Sequence, residues 1–186
     1  SAPPVPLSLL ASLPTLRIGG LIDIDTLYTQ ALSVTSDNSL VQNNLGHVLE
    51  RQGKPAEAML HFAEALQIKP DFVDALANMA VTLMEQGKTV EALSFYHRAL
   101  IVKPDSGRLH WQLGLALASQ GKSDDALQQF YEATKLAPQD SSVRVNLGLE
   151  LARHGKLPES AEQYHEALAL DPNSAETHND LGMVFL

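Results

Sequence analysis

The sequence predicts an all-α protein, a solenoid of antiparallel helix pairs, and three observations predict it. The first is a period of 34 residues. Leu45-Gly46 returns as Met79-Ala80, Leu113-Gly114, Leu147-Gly148 and Leu181-Gly182, and Pro70 returns as Pro104, Pro138 and Pro172. A fixed period of this length means one supersecondary unit written several times. The second is a glycine column, Gly53, Gly87, Gly121 and Gly155, placed where a chain leaves a helix through a left-handed residue. The third is a column of alanine (Ala65, Ala99, Ala133, Ala167) three residues after an aromatic (Phe62, Tyr96, Phe130, Tyr164).

Each repeat is numbered 1–34 from Ser39. Positions 4, 7, 8 and 11 of the first repeat are Gln42, Leu45, Gly46 and Leu49, spaced as one face of a helix, helix A. Positions 20, 24 and 27 (Ala58, Phe62, Ala65) lie on a second amphipathic segment, helix B. Small residues at 8, 20 and 27 let the two backbones approach closely, and the aromatic at 24 fills the space beside them. Helix B opens at Pro55, Thr89 or Ser123 and carries acidic residues near its start (Glu57, Glu91, Asp124, Asp125, Glu159), which suit a helix N-terminus. The proline at position 32 pushes its predecessor out of helical geometry and ends helix B. Asp71, Asp105-Ser106, Asp140-Ser141 and Asn173-Ser174 then offer caps for the next helix.

Full repeats are read over 39–72, 73–106, 107–140 and 141–174. Extending the frame backwards puts Gly19, Tyr28 and Ala31 on positions 15, 24 and 27, so residues 1–38 are read as a degenerate N-terminal repeat or capping segment. Its helix B runs from about Asp23 to Val34, while Leu7, Leu9, Leu10 and Leu13 cover the edge of the first full repeat. Residues 175–186 begin another helix A and end on the apolar Met183-Val184-Phe185-Leu186. Solenoids need polar caps for solubility, so the chain reads as a fragment of a longer protein.

These columns identify a resemblance to the tetratricopeptide repeat family, spanning residues 39–186 directly. The resemblance implies a right-handed α-solenoid whose A helices line a concave surface and whose role is to bind protein. The junction LYTQALSVTSDNSLVQNNLG is also similar to the repeat tails of bacterial multi-spanning membrane proteins of glycosyltransferase type. That similarity implies a membrane domain upstream and a periplasmic tail; without it, a cytoplasmic location is equally open.

Composition narrows the partners. The net charge is −9, with 13 basic residues against 22 acidic ones and no Lys/Arg cluster, so neither nucleic acid nor an anionic membrane surface is an expected partner. With no cysteine there is no disulfide, thiolate metal site or cysteine nucleophile. No run of 18 apolar residues exists to span a bilayer. The seven histidines (His47, His61, His97, His110, His154, His165, His178) show no metal-ligand spacing. No nucleophile elbow or phosphate-cradling loop occurs, so no active site, metal or cofactor is expected.

The informative surface is the face of helix A opposite its packing stripe. Position 6 reads Asn44, Asn78, Gln112, Asn146 and Asp180, and position 9 reads His47, Val81, Leu115, Leu149 and Met183. Position 5 reads Asn43, Ala77, Trp111, Val145 and Asn179. An amide column donates to and accepts from an extended backbone, and apolar neighbours form side-chain pockets. The column resembles the asparagine ladder of the O-linked N-acetylglucosamine transferase superhelix at Asn44, Asn78 and Asn146. Gln112 is a near match, and Asp180 departs from it. Chaperone-binding repeats, which clamp a terminal carboxylate, are a poorer resemblance, matched only by Asn78 and Arg108. Trp111, the only tryptophan, lies one residue past the family's usual structural position. It is expected on the concave side as an anchor, or else packed on Ala77 or Val145.

The function these features predict is a non-catalytic module that binds a peptide or protein segment in its groove. Two alternatives stand beside it: the substrate-recruiting part of a larger glycosyltransferase, and homo-oligomerisation through the open C-terminal edge.

Overall fold

The computed structural model describes residues 38–185. Apart from Asn38, the degenerate unit read over 1–38 lies outside the described residues, as does Leu186. Among the described residues there are nine helices and no strand. In chain order they are α1 (Ser39–Arg51), α2 (Pro55–Ile68), α3 (Val73–Glu85), α4 (Thr89–Val102), α5 (Gly107–Ser119), α6 (Ser123–Leu136), α7 (Ser141–Arg153), α8 (Leu157–Leu170) and α9 (Ala175–Val184). The chain forms two compact units, residues up to Ala75 and residues from Leu76 onward, with α3 running through the boundary.

The turns follow from the glycine column. Gly53, Gly87, Gly121 and Gly155 have φ of +75°, +73°, +72° and +71°, and no other described residue has a positive φ. After Gly121, for example, the chain reverses within three residues and α6 runs back along α5. The expected caps form at three helix starts. Ser106 accepts from the Leu109 N–H, Asp140 from those of Ser142 and Val143, and Ser174 from that of Thr177.

In the first unit α1 packs against α2. Gly46 lets the helices close, since a Cβ there would lie 2.6 Å from the Phe62 ring and 3.0 Å from the Ala58 carbonyl oxygen. Phe62, Ala58 and Ala65 have no exposed surface. The second unit repeats this seam between α5 and α6 and between α7 and α8. There Gly114 faces Phe130 and Gly148 faces Tyr164. Successive pairs stack by α4 on α5, α6 on α7 and α8 on α9. Gly182 of α9 has nothing within 4 Å of where its Cβ would stand. Met183 and Phe185 beside it are 59% and 71% exposed.

A polar latch accompanies the apolar seam. Position 4 of helix A bonds position 23 of helix B in His61–Gln42 (2.6 Å), His110–Gln129 (2.8 Å) and Arg144–Gln163 (3.3 Å). Position 4 also donates to the carbonyl of the preceding proline: His110 to Pro104 (2.9 Å), Arg144 to Pro138 (3.0 Å) and His178 to Pro172 (3.1 Å). Three chemically different residues, Gln42, His110 and Arg144, thus fill one place in the latch, and His110 and Arg144 reach both the helix B residue and the proline carbonyl. This accounts for His61, His110 and His178 as structural residues.

Candidate functional site

The A helices of the second unit carry a cavity of about 230 Å³, lined by Leu115, Ala118 and Ser119 of α5 and Asn146, Leu149, Glu150 and Arg153 of α7, with Phe130 of α6 behind them. The cavity exists because α5 and α7 belong to successive repeats, so the stacking of α6 on α7 leaves a trough between their outer faces. Its volume suits one or two side chains and falls below the ~300–1,000 Å³ of small-molecule sites. Leu115, Ala118 and Leu149 give it an apolar wall.

The polar groups are held in place. Asn146 Nδ2 donates to the Ser142 carbonyl at 2.8 Å, which leaves Oδ1 as the outward acceptor. Glu150 is 2% exposed, and a bare carboxylate so buried would cost several kcal/mol. Two donors meet it: the Ser123 hydroxyl at the start of α6, and Arg153 Nη1 at 3.2 Å. Arg153 itself is 54% exposed, so most of its N–H groups remain for a ligand.

Of the twelve residues picked from the sequence, Leu115, Asn146 and Leu149 line this cavity together. Asn78, Val81 and Val145 are half-buried elsewhere in the same unit, and Arg108 is exposed. In the first unit Asn43 is buried, Asn44 half-buried and His47 exposed. Gln112 is buried, and its Oε1 has no hydrogen-bond partner. Trp111 is half-buried, and its indole N–H is wholly enclosed and unbonded. One turn of helix places Trp111 beside Leu115, but the neighbouring packing decides which atoms reach solvent.

Sequence reasoning missed Ala118, Ser119, Glu150 and Arg153. A signal existed for Glu150: position 10 otherwise holds Val48, Thr82 and Ala116, and a lone charge in a buried column needs partners. A second depression, about 440 Å³, lies over α6 and is lined by Asp124, Leu127, Gln128, Tyr131, Glu132 and Lys135. It is larger but made by one helix face with charges of both signs, and lacks an enclosing apolar wall. Among the described residues no group of three His, Cys, Asp or Glu could hold a metal ion, and no helix is long and apolar enough to cross a membrane.

Comparison with known proteins agrees with this architecture. Models described as tetratricopeptide repeat match residues 26–71, 49–116 and 107–140, and one described as TPR repeat matches 148–186. A 50-residue stretch is 38% identical to the protein O-mannosyl-transferase Tmtc3 of Drosophila melanogaster, covering 27% of this chain and only 5% of that protein. Among solved structures the chain is similar to YrrB, described as a TPR protein with an unusual peptide-binding site. There the TM-score is 0.75 at 22% identity over 85% of this chain and 81% of that one. It is likewise similar to MamA (TM-score 0.75, 17% identity, 81% and 82% covered). A third similarity is to pilF of Pseudomonas aeruginosa (TM-score 0.72, 26% identity, 78% and 67% covered). With the period, the glycine turns and the aromatic seam already in place, these matches show that the chain belongs to the tetratricopeptide repeat family.

Proposed function

We propose that this chain is a non-catalytic interaction module and that its second unit holds an extended peptide segment against α5 and α7. The observation that carries this reading is the cavity itself, with an apolar wall of Leu115, Ala118 and Leu149 beside the Asn146 acceptor and the Arg153 donors. An apolar ligand side chain fills the cavity, a ligand backbone N–H meets Asn146 Oδ1, and a carbonyl or carboxylate meets Arg153. Peptide binding by the similarly folded YrrB supports the class of ligand but not its sequence. The test is peptide-display selection on the whole chain, followed by titration of the selected peptides against Leu149→Asp. Affinity is expected to fall about tenfold or more, roughly 1.4 kcal/mol, with the melting temperature little changed. Peptides that bind the folded variant as tightly as the parent would remove α7 from the site.

Two further readings each have one supporting observation. The stretch shared with Tmtc3 favours a substrate-recruiting segment of a larger glycosyltransferase, tested by whether the native gene encodes such a domain beside it. Exposed Met183 and Phe185 favour self-association, tested by light scattering before and after Phe185→Ser.

A further inference from the structure

Asp124 and His154 are separated by 30 residues but meet at 3.0 Å, Oδ1 to Nε2, where the first turn of α6 passes the last turn of α7. On the other side of the ring, Nδ1 lies 2.8 Å from the backbone carbonyl of Glu150. A carboxylate and a carbonyl only accept hydrogen bonds. A neutral imidazole has one N–H, so it satisfies one of them and turns a lone pair on the other. The imidazolium donates to both. His154 also follows directly on the C-terminus of α7, where the helix dipole favours a positive charge. Next to this contact the Glu150 carboxylate accepts from Ser123, so a second side-chain bond joins the same two helix ends.

We propose that His154 is a proton-operated clamp between the third and fourth repeats: protonated, it ties the first turn of α6 to the last turn of α7, and deprotonated, it releases Asp124. The charges acting on the ring are Asp124 from α6 and Glu150 from α7; none on α8 is among them. Arg153 precedes it in the chain but is bonded to Glu150. The Glu150 carbonyl bond first, and the Asp124 bond next, hold the ring's pKa above its ordinary 6.5. A raised folded-state value means the clamp contributes fully below about 6.5. The contribution is lost as pH rises through the folded-state value. Because Asp124 is 98% exposed, its release to water is easy, and the Ser123–Glu150 bond then remains as the side-chain bond between these two helix ends.

The clamp goes beyond the peptide reading and depends only on the repeat junction, so the two stand or fall separately. The test is an NMR titration of the histidine rings in the whole chain, with amide exchange followed at Ala126, whose N–H bonds the Lys122 carbonyl in the first turn of α6. His154 is expected to titrate above 6.5, and Asp124→Asn to lower its midpoint. Protection at Ala126 is expected to be greater at about pH 5.5 than at about pH 8. That difference should vanish in His154→Gln. A midpoint at or below the ordinary value, a midpoint unmoved by Asp124→Asn, or the same pH-dependent protection in His154→Gln would each overturn the proposal.

Discussion

The third and fourth repeats build the same seam from different chemistry. At positions 10, 20 and 24 the third has Ala116, Ala126 and Phe130, and the fourth has Glu150, Ser160 and Tyr164. All six are 2% exposed or less. Yet the A helices are both 13 residues long, the B helices both 14, and the turn glycines differ by a single degree in φ. The fourth repeat tolerates its polar atoms because they are bonded. Ser160 Oγ donates to the Gly148 carbonyl at 2.7 Å, and Glu150 accepts from Ser123 and Arg153. Burial pushes the Tyr164 hydroxyl up to about 12, so it stays a neutral phenol. The two repeats teach that the steric columns set the backbone, while the polarity at positions 10 and 20 of the seam is free so long as those polar groups are bonded, as Glu150 and Ser160 are.

The largest expected effect tests whether the two aromatics are equivalent. Phe130→Ala and Tyr164→Ala should each cost roughly 3–5 kcal/mol, read from urea unfolding followed by circular dichroism. Unequal losses would show that one repeat carries more of the stacking energy. Next comes the closeness of the helices. A Cβ on Gly114 would stand 2.6 Å from the Phe130 ring, against 3.0 Å from the Tyr164 ring at Gly148. Overpacking costs about 1–3 kcal/mol, and alanine returns about 1 kcal/mol of helix propensity. Gly114→Ala should therefore destabilise clearly and Gly148→Ala only slightly. The reverse order would mean that the third repeat is the looser of the two.

Gly121→Val and Gly155→Val should cost alike, about 1–2 kcal/mol each, because nothing lies within 4 Å of either Cβ and only the left-handed backbone objects. An unchanged melt would mean the turn relaxes without glycine. The smallest effect belongs to Ser160→Ala, about 1 kcal/mol for one buried hydrogen bond. No loss at all would show that the Gly148 carbonyl is satisfied by its helix alone.

Much of the fold was legible because each repeat states it again. The left-handed turns, the seam of small residues against an aromatic, and the caps at Ser106, Asp140 and Ser174 follow from local sterics and from spacing along one helix. The site was legible only in part. The helical wheel picks Leu115, Asn146 and Leu149, which share one cavity, but equally picks Val81 and Val145, which do not line it. It also leaves Trp111 open between an anchor and a packed residue, and the folded chain encloses its indole N–H.

The sequence by itself determined the repeat length, the helix pairs and the absence of a thiol from any chemistry the chain performs. Tertiary structure alone decided which partners Glu150 finds, that Arg153 is bonded to it yet half-exposed at the rim, and that Asp124 reaches His154 from the preceding helix pair. The physical reason is range. Turn and seam depend on groups within one repeat, at fixed offsets that recur every 34 residues. A cavity wall or a proton-sharing contact depends on two successive repeats, and on which of their unlike residues the stacking brings within hydrogen-bond distance.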